Sequence, residues 1–302
     1  MKIVFMGSAE FAIPSLEKLL NSQHEVLFAV SAPDKERGRG RKVTFTPLKE
    51  FAVENGLEVL TPENLRDESF VNKLKQSQAD LFVVVAFRIL PKELLQIPKR
   101  GSINLHASLL PKYRGAAPIH WALINGEKET GVTTFFLDEK VDTGNIILQE
   151  KIKIDDEDNL GSLYDKLKIL GADVLIKTVD KIDNGFYELM KQDNTLATPA
   201  PKITKEICKI NLQKSAVEIH NLVRGLSPHP GAILEYKSKY YKILKTKIVQ
   251  NFNSQILETI QTTKKEIYLK TSDGILQILE LQPEGRKKMS AKEFLRGYSF
   301  DS

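Results

Sequence analysis

The chain of 302 residues carries a net charge of +5, with 41% hydrophobic and 27% charged residues. This composition is typical of a folded globular protein and excludes a fibrous or intrinsically disordered chain. No stretch approaches 18 consecutive apolar residues, which argues against a membrane-spanning helix, and the single cysteine, Cys208, excludes an intrachain disulfide. The length allows two domains, and the first residues already predict a strand, so we expect no signal peptide and a cytoplasmic protein.

The first two thirds of the sequence alternate apolar strands with amphipathic helices. Strands are predicted over residues 2–7, 24–32, 79–87, 101–108 and 130–138. Helices are predicted over residues 8–22, 47–56 and 158–185, the last as one long helix or two. The run ADLFVVVAF is apolar and largely β-branched, as is typical of a strand buried in a parallel sheet. This rhythm predicts an α/β fold with a doubly wound, Rossmann-like sheet, whose ligands bind at the carboxyl ends of the strands.

The periodicity stops after the long helix. Residues 187–210 contain closely spaced prolines, which predicts a linker, and a short helix is predicted over residues 215–226. Four short strand-like segments follow, and they predict a small β-barrel or sandwich. We therefore expect a first domain over residues 1–189, a linker over 190–206 and a C-terminal β domain over 207–302.

Positive charge is concentrated at the C-terminal end. Residues 201–302 hold 18 Lys or Arg against 10 Asp or Glu, whereas residues 1–200 hold 26 against 29. This asymmetry indicates a module that faces a polyanion, although a solvated lysine-rich surface would explain it equally well. One strand-like segment carries five lysines that we expect to project from a single face, unless they guard a sheet edge: Lys237, Lys239, Lys242, Lys245 and Lys247.

Two glycine-bearing stretches bear on nucleotide binding. MGSAEF, after the first strand, lacks the second and third glycines of the dinucleotide fingerprint, and the sequence contains no P-loop. A nicotinamide or ATP cofactor therefore has little support. The stretch RGRGRK, residues 37–42, is too polar to pack in a core. It is either a solvated surface loop or a bendable arm that contacts phosphate groups.

Three polar residues could carry chemistry. Asn104 and His106 lie two apart in a predicted strand and so share a face, and Asp142 follows the next strand. If the two strand ends lie close together, the Asp142 carboxylate could orient the imidazole as a general base. The Asn104 amide could then donate to an oxyanion, and a substrate amine could serve as the nucleophile. Spacing alone leaves a structural histidine and a catalytic histidine both open.

Longer motifs around these residues narrow the choice. The segments NLHASLLPKYRGAAPIHWAL and ETGVTTFFLDEKVDTGNII closely resemble the formyltransferases that use 10-formyltetrahydrofolate. The segments FMGSAEFAIPSLEKLL and VVVAFRILPKELL resemble the same family. The segment APKITKEICKINLQKSAVEIHNLVRGLSPHPGA resembles the longer members, which act on aminoacyl-tRNA. The resemblance covers essentially the whole chain, and it implies a catalytic first domain followed by a C-terminal barrel of the oligonucleotide-binding (OB-like) type.

The resemblance also implies the reaction. The formyl group of 10-formyltetrahydrofolate would pass to the α-amino group of initiator methionyl-tRNA, giving N-formylmethionyl-tRNA for translation initiation, without a metal. Asn104 would polarise the formyl carbonyl, His106 would move protons, and Asp142 would orient His106. The folate would contact two loops through Phe87, Arg88, Ile89, Leu90, Ser108, Leu109, Leu110 and Pro111. The first of these loops is one residue shorter than in many members, and its Arg88 would lie over the pocket or point to solvent.

The tRNA contacts are also implied by the resemblance. The loop over residues 32–47 would bind the acceptor end of the tRNA, with phosphates meeting Arg37, Arg39, Arg41 and Lys42. Two alternatives stay open: transfer to a small amine such as glycinamide ribonucleotide or an amino sugar nucleotide, and a non-catalytic module that binds tRNA or folate. The C-terminal hundred residues argue against the first, and the three polar residues argue against the second. A monomer is the simplest expectation.

Overall fold

A computed structural model of the chain describes residues 1–37, 42–249 and 258–300. The backbone forms two compact units. The first unit comprises residues 1–115, 130–152 and 164–199, and the second comprises 116–129, 153–163 and the described residues from 200 onward. Two stretches of the predicted first domain therefore group with the second unit. The linear boundaries predicted at 189/190 and 206/207 stay a prediction.

The described residues contain fifteen strands and eight α-helices. The strands are β1 Lys2–Gly7, β2 Glu25–Val30, β3 Lys35–Arg37, β4 Lys42–Thr44, β5 Val59–Leu60, β6 Leu81–Val85, β7 Ser102–His106, β8 Glu129–Phe136, β9 Ile146–Lys153, β10 Ala232–Tyr236, β11 Lys239–Val249, β12 Ile260–Thr262, β13 Ile267–Lys270, β14 Ile275–Pro283 and β15 Met289–Ser290. The helices are α1 Ile13–Leu20, α2 Pro47–Glu54, α3 Glu68–Gln76, α4 Lys92–Leu95, α5 Pro118–Ile124, α6 Leu160–Asn184, α7 Ala216–Leu226 and α8 Ala291–Gly297.

The first unit is built on a seven-stranded sheet with the strand order β5-β2-β1-β6-β7-β8-β9. The first five strands in this order, β5, β2, β1, β6 and β7, run parallel to one another. The next strand, β8, runs antiparallel to β7. All five residues of β6 are buried, as its apolar sequence predicts. The predicted Rossmann-like α/β fold is confirmed, with an antiparallel strand added on one side. The helix predicted over residues 158–185 forms as one helix, α6, of 25 residues.

The parallel strands bring three connecting segments to one edge of this sheet. Residues 31–46 follow β2, residues 86–91 follow β6, and residues 107–115 follow β7. Because parallel strands all end on the same side, these segments leave the sheet together at its carboxyl edge. This edge is where the sequence predicts ligand binding.

The second unit holds an antiparallel sheet with the order β10-β11-β14-β13-β12, and β15 pairs with β14. It curls into a half-barrel, so the predicted small C-terminal β domain is confirmed. Helix α7 packs its buried face, including Ile219 and Leu226, into a core with Ile243 and Leu276. Its first turn is closed by a capping box, in which Ser215 accepts from the backbone of Glu218 and the Glu218 side chain accepts from the Ser215 backbone.

A β-bulge determines which way the lysines of β11 point. Ile243 and Leu244 are both buried, because the pairing with β14 skips Leu244 and shifts the side-chain alternation by one residue. Lys242 before the bulge and Lys245 after it consequently lie on the outer face, and so does Lys247. Three of the five lysines expected to share one face therefore do so, and the bulge rather than simple alternation is the reason. Of the remaining two lysines, Lys237 lies in the turn before β11 and Lys239 is the first residue of β11.

Candidate active site

Strand β7 presents two polar side chains on one face. Ile103 and Leu105, which alternate with them, are buried at 0% and 3% exposure on the other face. His106 is buried and Asn104 is half-buried. Within the part of the chain that the structure describes, the Asn104 side chain makes no hydrogen bond. Its amide is therefore available to a ligand.

The contacts of His106 define the state of its ring. Nε2 lies 2.8 Å from the backbone oxygen of Tyr113. A carbonyl oxygen can only accept, so Nε2 carries a hydrogen and donates it. In the neutral ring, Nδ1 then holds the lone pair, and it lies 3.7 Å from Oδ2 of Asp142. Nδ1 is consequently the nitrogen that can take up a proton, and the carboxylate beside it stabilises the resulting charge.

The route by which Asp142 reaches His106 differs from the expected one. The sequence analysis made this contact depend on two strand ends lying close together, but β8 is antiparallel, and its last residue, Phe136, pairs with Ile103 near the start of β7. The end of β8 therefore lies away from His106. The connection over residues 137–145 brings Asp142 back to the imidazole. The expected pairing of the two side chains thus arises from a loop that folds back between β8 and β9.

The turn that carries Asp142 is tightly constrained. Asp142 has a φ of +55°, in the left-handed region that non-glycine residues seldom occupy. The backbone N–H of Gly115 donates to its Oδ2 at 2.8 Å, which orients the carboxylate. Two residues later, a Cβ on Gly144 would overlap the backbone oxygen of Phe136, so only glycine fits at this position.

Sequence reasoning missed the residues that hold this turn in place. Gln192 donates to the backbone oxygens of Asp142 and Gly144 at 2.9 and 2.8 Å, and it accepts from Arg114. Arg114 stands inside the recognised KYRGAAP motif, which could have marked it. Gln192 lies in an aperiodic segment that gave no such signal.

Two further side chains that the sequence analysis missed, Thr133 and Gln149, hydrogen-bond to the backbone of the segment over residues 108–111. The Thr133 hydroxyl donates to the backbone oxygen of Ser108 at 2.6 Å and accepts from the backbone N–H of Leu110 at 3.2 Å. Gln149 donates to the Leu110 oxygen at 3.0 Å and to the Thr133 hydroxyl at 2.9 Å. These bonds hold the backbone of residues 108–110 in one conformation.

The four residues of this segment differ in what they offer a ligand. The Ser108 side chain is fully buried and its hydroxyl donates to the backbone oxygen of Lys112 at 2.6 Å. Leu110 is also buried, at 3% exposure. Leu109 and Pro111 are half-buried and remain accessible. Leu109 and Pro111 therefore provide the accessible side-chain surface of this segment.

Arg88, in the loop over residues 87–90, points towards a neighbouring loop. Its guanidinium donates to the backbone oxygens of Pro62 and Glu63 at 2.8 and 3.1 Å, and it lies 5.2 Å above the ring of Phe87. Burial lowers the pKa of the Arg88 guanidinium, and the charge of Glu63 opposes that shift. The side chain is thus tied to a neighbouring loop. Leu90 is buried in the core, whereas Ile89 is 76% exposed.

Family models match the chain in two parts. The model described as formyl transferase matches residues 1–179, and the model described as formyl transferase, C-terminal domain, matches residues 202–299. The curated relative "Methionyl-tRNA formyltransferase" from Caldanaerobacter subterraneus subsp. tengcongensis is 46% identical over 301 residues, covering 99% of this chain and 97% of the relative. The chain belongs to the methionyl-tRNA formyltransferase family.

Another member of the methionyl-tRNA formyltransferase family, from Thermodesulfovibrio yellowstonii, is 47% identical over 296 residues and covers 98% of this chain and 95% of the relative. Similar solved structures include WlaRD, a sugar 3N-formyl transferase in the presence of dTDP and 5-N-formyl-THF. It is 25% identical, has a TM-score of 0.71 and covers 95% of this chain and 99% of that one. An N-formyltransferase from Helicobacter canadensis in complex with folinic acid and dTDP-3-aminofucose is also 25% identical, with a TM-score of 0.69 and coverages of 96% and 100%.

The basic loop after β2 is described only in part in this member of the methionyl-tRNA formyltransferase family. The backbone of Arg37 pairs with that of Lys42 in the β3–β4 hairpin, whereas Arg39 and Arg41 lie outside the described residues. Beyond the hairpin, Lys49 at the start of α2 forms an ion pair of 2.6 Å with Asp34. This pair joins the two flanks of the loop.

The described residues contain neither a membrane-spanning helix nor a metal-binding group. No helix in the described ranges is both long enough and apolar enough to cross a bilayer. Within those same ranges, no three His, Cys, Asp or Glu side chains are grouped so as to hold a metal ion.

Proposed function

We propose that this chain transfers the formyl group of 10-formyltetrahydrofolate to the α-amino group of initiator methionyl-tRNA. The products are N-formylmethionyl-tRNA and tetrahydrofolate. The observation that carries the proposal is the group formed by Asn104, His106 and Asp142, set in a chain whose curated relatives of that name match nearly its whole length. A site limited to binding would not require an oxyanion donor beside a base.

The chemistry begins at the formyl carbon. The amine nitrogen attacks this carbon, and the carbonyl electron pair moves to oxygen to give a tetrahedral intermediate. The half-buried Asn104 amide, which has no partner among the described residues, donates to that oxygen and stabilises its charge. The bond to folate N10 then breaks, and the carbonyl re-forms on the methionyl nitrogen.

His106 handles the proton that must move. An α-amino group has a pKa near about 8, so a mild base suffices to free its lone pair. Nδ1 of His106 takes the proton from the attacking amine and returns one to N10 as that nitrogen leaves, so the enzyme ends unchanged. Asp142, 3.7 Å from Nδ1, stabilises the imidazolium between the two steps. The bond from Nε2 to Tyr113 keeps the ring in the correct tautomer.

The folate site is proposed at the carboxyl edge of the sheet. The backbone around residues 87–90 offers donors and acceptors in fixed directions, which suits the flat edge of a pterin ring. Leu109 and Pro111 provide the accessible apolar surface beside it. Arg88 contributes indirectly, since its guanidinium ties this loop to residues 62–63.

The tRNA contacts are proposed on two surfaces. The described residues 31–37 leave β2 at the same edge of the sheet as the active site. The phosphates of the acceptor end would meet Arg37, Arg39, Arg41 and Lys42. The basic second surface is the outer face of β11, which carries Lys242, Lys245 and Lys247. We also propose that the protein works in the cytoplasm as a monomer.

A second candidate function is transfer to an amino sugar nucleotide, because the similar solved structures include sugar N-formyltransferases that align with nearly the whole chain. A formyl-transfer assay with four acceptors separates the two functions: initiator methionyl-tRNA, elongator methionyl-tRNA, glycinamide ribonucleotide and a dTDP-amino sugar. We expect transfer to the initiator species. Transfer only to a small amine would overturn the tRNA role and keep the active-site chemistry.

A further inference from the structure

The side-chain amide of Gln192 is buried and makes four hydrogen bonds. It is 6% exposed. Its Nε2 donates to the backbone oxygens of Asp142 at 2.9 Å and Gly144 at 2.8 Å. Its Oε1 accepts from Nε and Nη2 of Arg114 at 3.1 and 2.7 Å. All four hydrogen-bonding positions of the amide are used, which fixes its orientation.

The turn it contacts needs such support. Asp142 is held at a φ of +55°, and a conformation of this kind persists only where the surroundings determine it. At the other end of the turn, Gly144 is pressed against the backbone of Phe136. The two carbonyl oxygens bonded by Gln192 belong to these two residues, so one amide group spans the turn and closes it.

Arg114 links this amide to the rest of the active site. Its Nη2 also donates to the side-chain oxygen of Asn194 at 2.9 Å, so the guanidinium is hydrogen-bonded to both Gln192 and Asn194. Its two chain neighbours touch the catalytic pair directly: Tyr113 accepts from His106, and the Gly115 N–H donates to the Asp142 carboxylate. On the other side of the amide, Arg114 thus holds Gln192 in the orientation that bonds the Asp142 turn.

We infer that Gln192 is a positioning residue for formyl transfer. It fixes the backbone of the Asp142 turn so that the carboxylate faces Nδ1 of His106, and it acts through Asp142 without touching either substrate. This inference rests on the proposed function. It predicts that Gln192 affects the chemical step and leaves the binding of both substrates unchanged.

The variant Gln192→Leu keeps the approximate size of the side chain and removes its hydrogen bonds. We expect kcat for methionyl-tRNA formylation to fall by about 10- to 100-fold, because a small misplacement of a catalytic group has a cost of that order. KM for both substrates should stay within about twofold. Leu196→Ala is the matched control, since Leu196 lies in the same segment, is 61% exposed and is not part of the Gln192–Arg114 hydrogen-bond network. It should keep kcat within about twofold.

The decisive comparison repeats Gln192→Leu in an Asp142→Ala background. Once the carboxylate is absent, losing its support should lower kcat no further. An equal fold loss in both backgrounds, or an unchanged kcat in the single variant, would overturn the inference. If Gln192→Leu simply reduced the fraction of folded protein, kcat would fall by the same factor in both backgrounds. Thermal unfolding of each variant checks for this.

Gln192→Glu covers the case in which the leucine variant fails to fold. It keeps an oxygen for Arg114 and places a carboxylate oxygen against the two carbonyl oxygens, so kcat should fall in the same direction. Wild-type kcat in this variant would overturn the inference. Failure of the wild-type chain to formylate methionyl-tRNA is a separate result, visible without any variant, and it would overturn the proposed function first.

Discussion

The Nε2 of His106 donates to the backbone oxygen of Tyr113 at 2.8 Å, and this bond leaves Nδ1 as the nitrogen for the proton transfer that we propose. Nδ1 is left facing Asp142 across 3.7 Å, which is an ion-pair distance and too long for a direct hydrogen bond. The carboxylate can stabilise a proton on Nδ1 without holding it. That arrangement suits a base that must accept a proton and then release it to folate N10.

His106→Gln tests this division of roles. A glutamine amide can still donate to the Tyr113 oxygen, but it cannot take up a proton at neutral pH. We expect kcat to fall by roughly 10²- to 10⁴-fold, the usual contribution of a general base. Affinities for folate and methionyl-tRNA, measured by equilibrium binding, should be retained. His220→Asn, in the second unit, is the control histidine and should keep wild-type turnover at pH 7.5; unchanged turnover in His106→Gln would refute the mechanism.

Gly144→Ala tests whether the Asp142 turn depends on close packing. The added methyl group would meet the backbone oxygen of Phe136, which cannot move without disturbing β8. We expect a loss of about 1–3 kcal/mol in the free energy of unfolding, as for other overpacked sites, and a large loss of activity. Gly297→Ala is the matched control, because a Cβ there meets no atom within 4 Å. Equal denaturation midpoints for the two variants would contradict the argument.

The sequence patterns predicted those strands and helices whose formation is explained by their own residues. Strand β6 is recognisable because every residue of it is apolar and buried, and α6 because its apolar residues recur with the helical period. Helix α8 was not predicted, although Ser290 and Glu293 form a capping box that could have marked its start. The strands β12 and β15 are only three and two residues long, too short for alternation to stand out.

The missing parts of the site have non-local causes. The sequence of β8 does not indicate whether the strand runs parallel or antiparallel to β7. The path that brings Asp142 to His106 therefore could not be predicted. Gln192 acts through its amide on two backbone oxygens, and nothing in its own segment indicates them. The direction of Arg88 depends on carbonyl groups 25 and 26 residues earlier in the chain.

The basic loop after β2 carries a prediction that tests the tRNA surface. If Arg39 and Arg41 contact tRNA phosphates as we propose, Arg39→Ala/Arg41→Ala should raise KM for methionyl-tRNA. The salt dependence of tRNA binding should weaken by about one unit of slope per arginine. KM for 10-formyltetrahydrofolate should not change.

A charge-matched control for this loop lies elsewhere in the first unit. Lys75→Ala/Lys177→Ala removes two positive charges from exposed positions on α3 and α6. If both double variants show the same salt slope, net charge alone accounts for the effect. A selective loss of folate binding in the arginine variant would instead place the loop at the folate site.

His220 makes the stability of the second unit depend on pH. Burial lowers the pKa of its imidazole and the charge of Arg224 lowers it further, while Glu157 and Asp156 oppose the shift. The unfolded chain takes up a proton near pH ~6.5, but the folded protein resists it. The free energy of unfolding should therefore fall as the pH drops below ~6.5 and level off below the folded pKa. Above ~6.5 the contribution of His220 is constant.

His220→Asn isolates this effect, because an asparagine can still bond the Thr246 hydroxyl that lies 2.9 Å from Nδ1 in the wild type. Denaturant unfolding at pH 7.5, 6.5 and 5.5 should show a shallower loss of stability for the variant than for the wild type. The difference cannot exceed about 1.4 kcal/mol per pH unit for one proton, and partial solvent exposure keeps it smaller. His120, whose pKa is also lowered by burial, titrates in both proteins and cancels. Parallel pH profiles for the two proteins would mean that the folded state protonates His220 as readily as the unfolded state does.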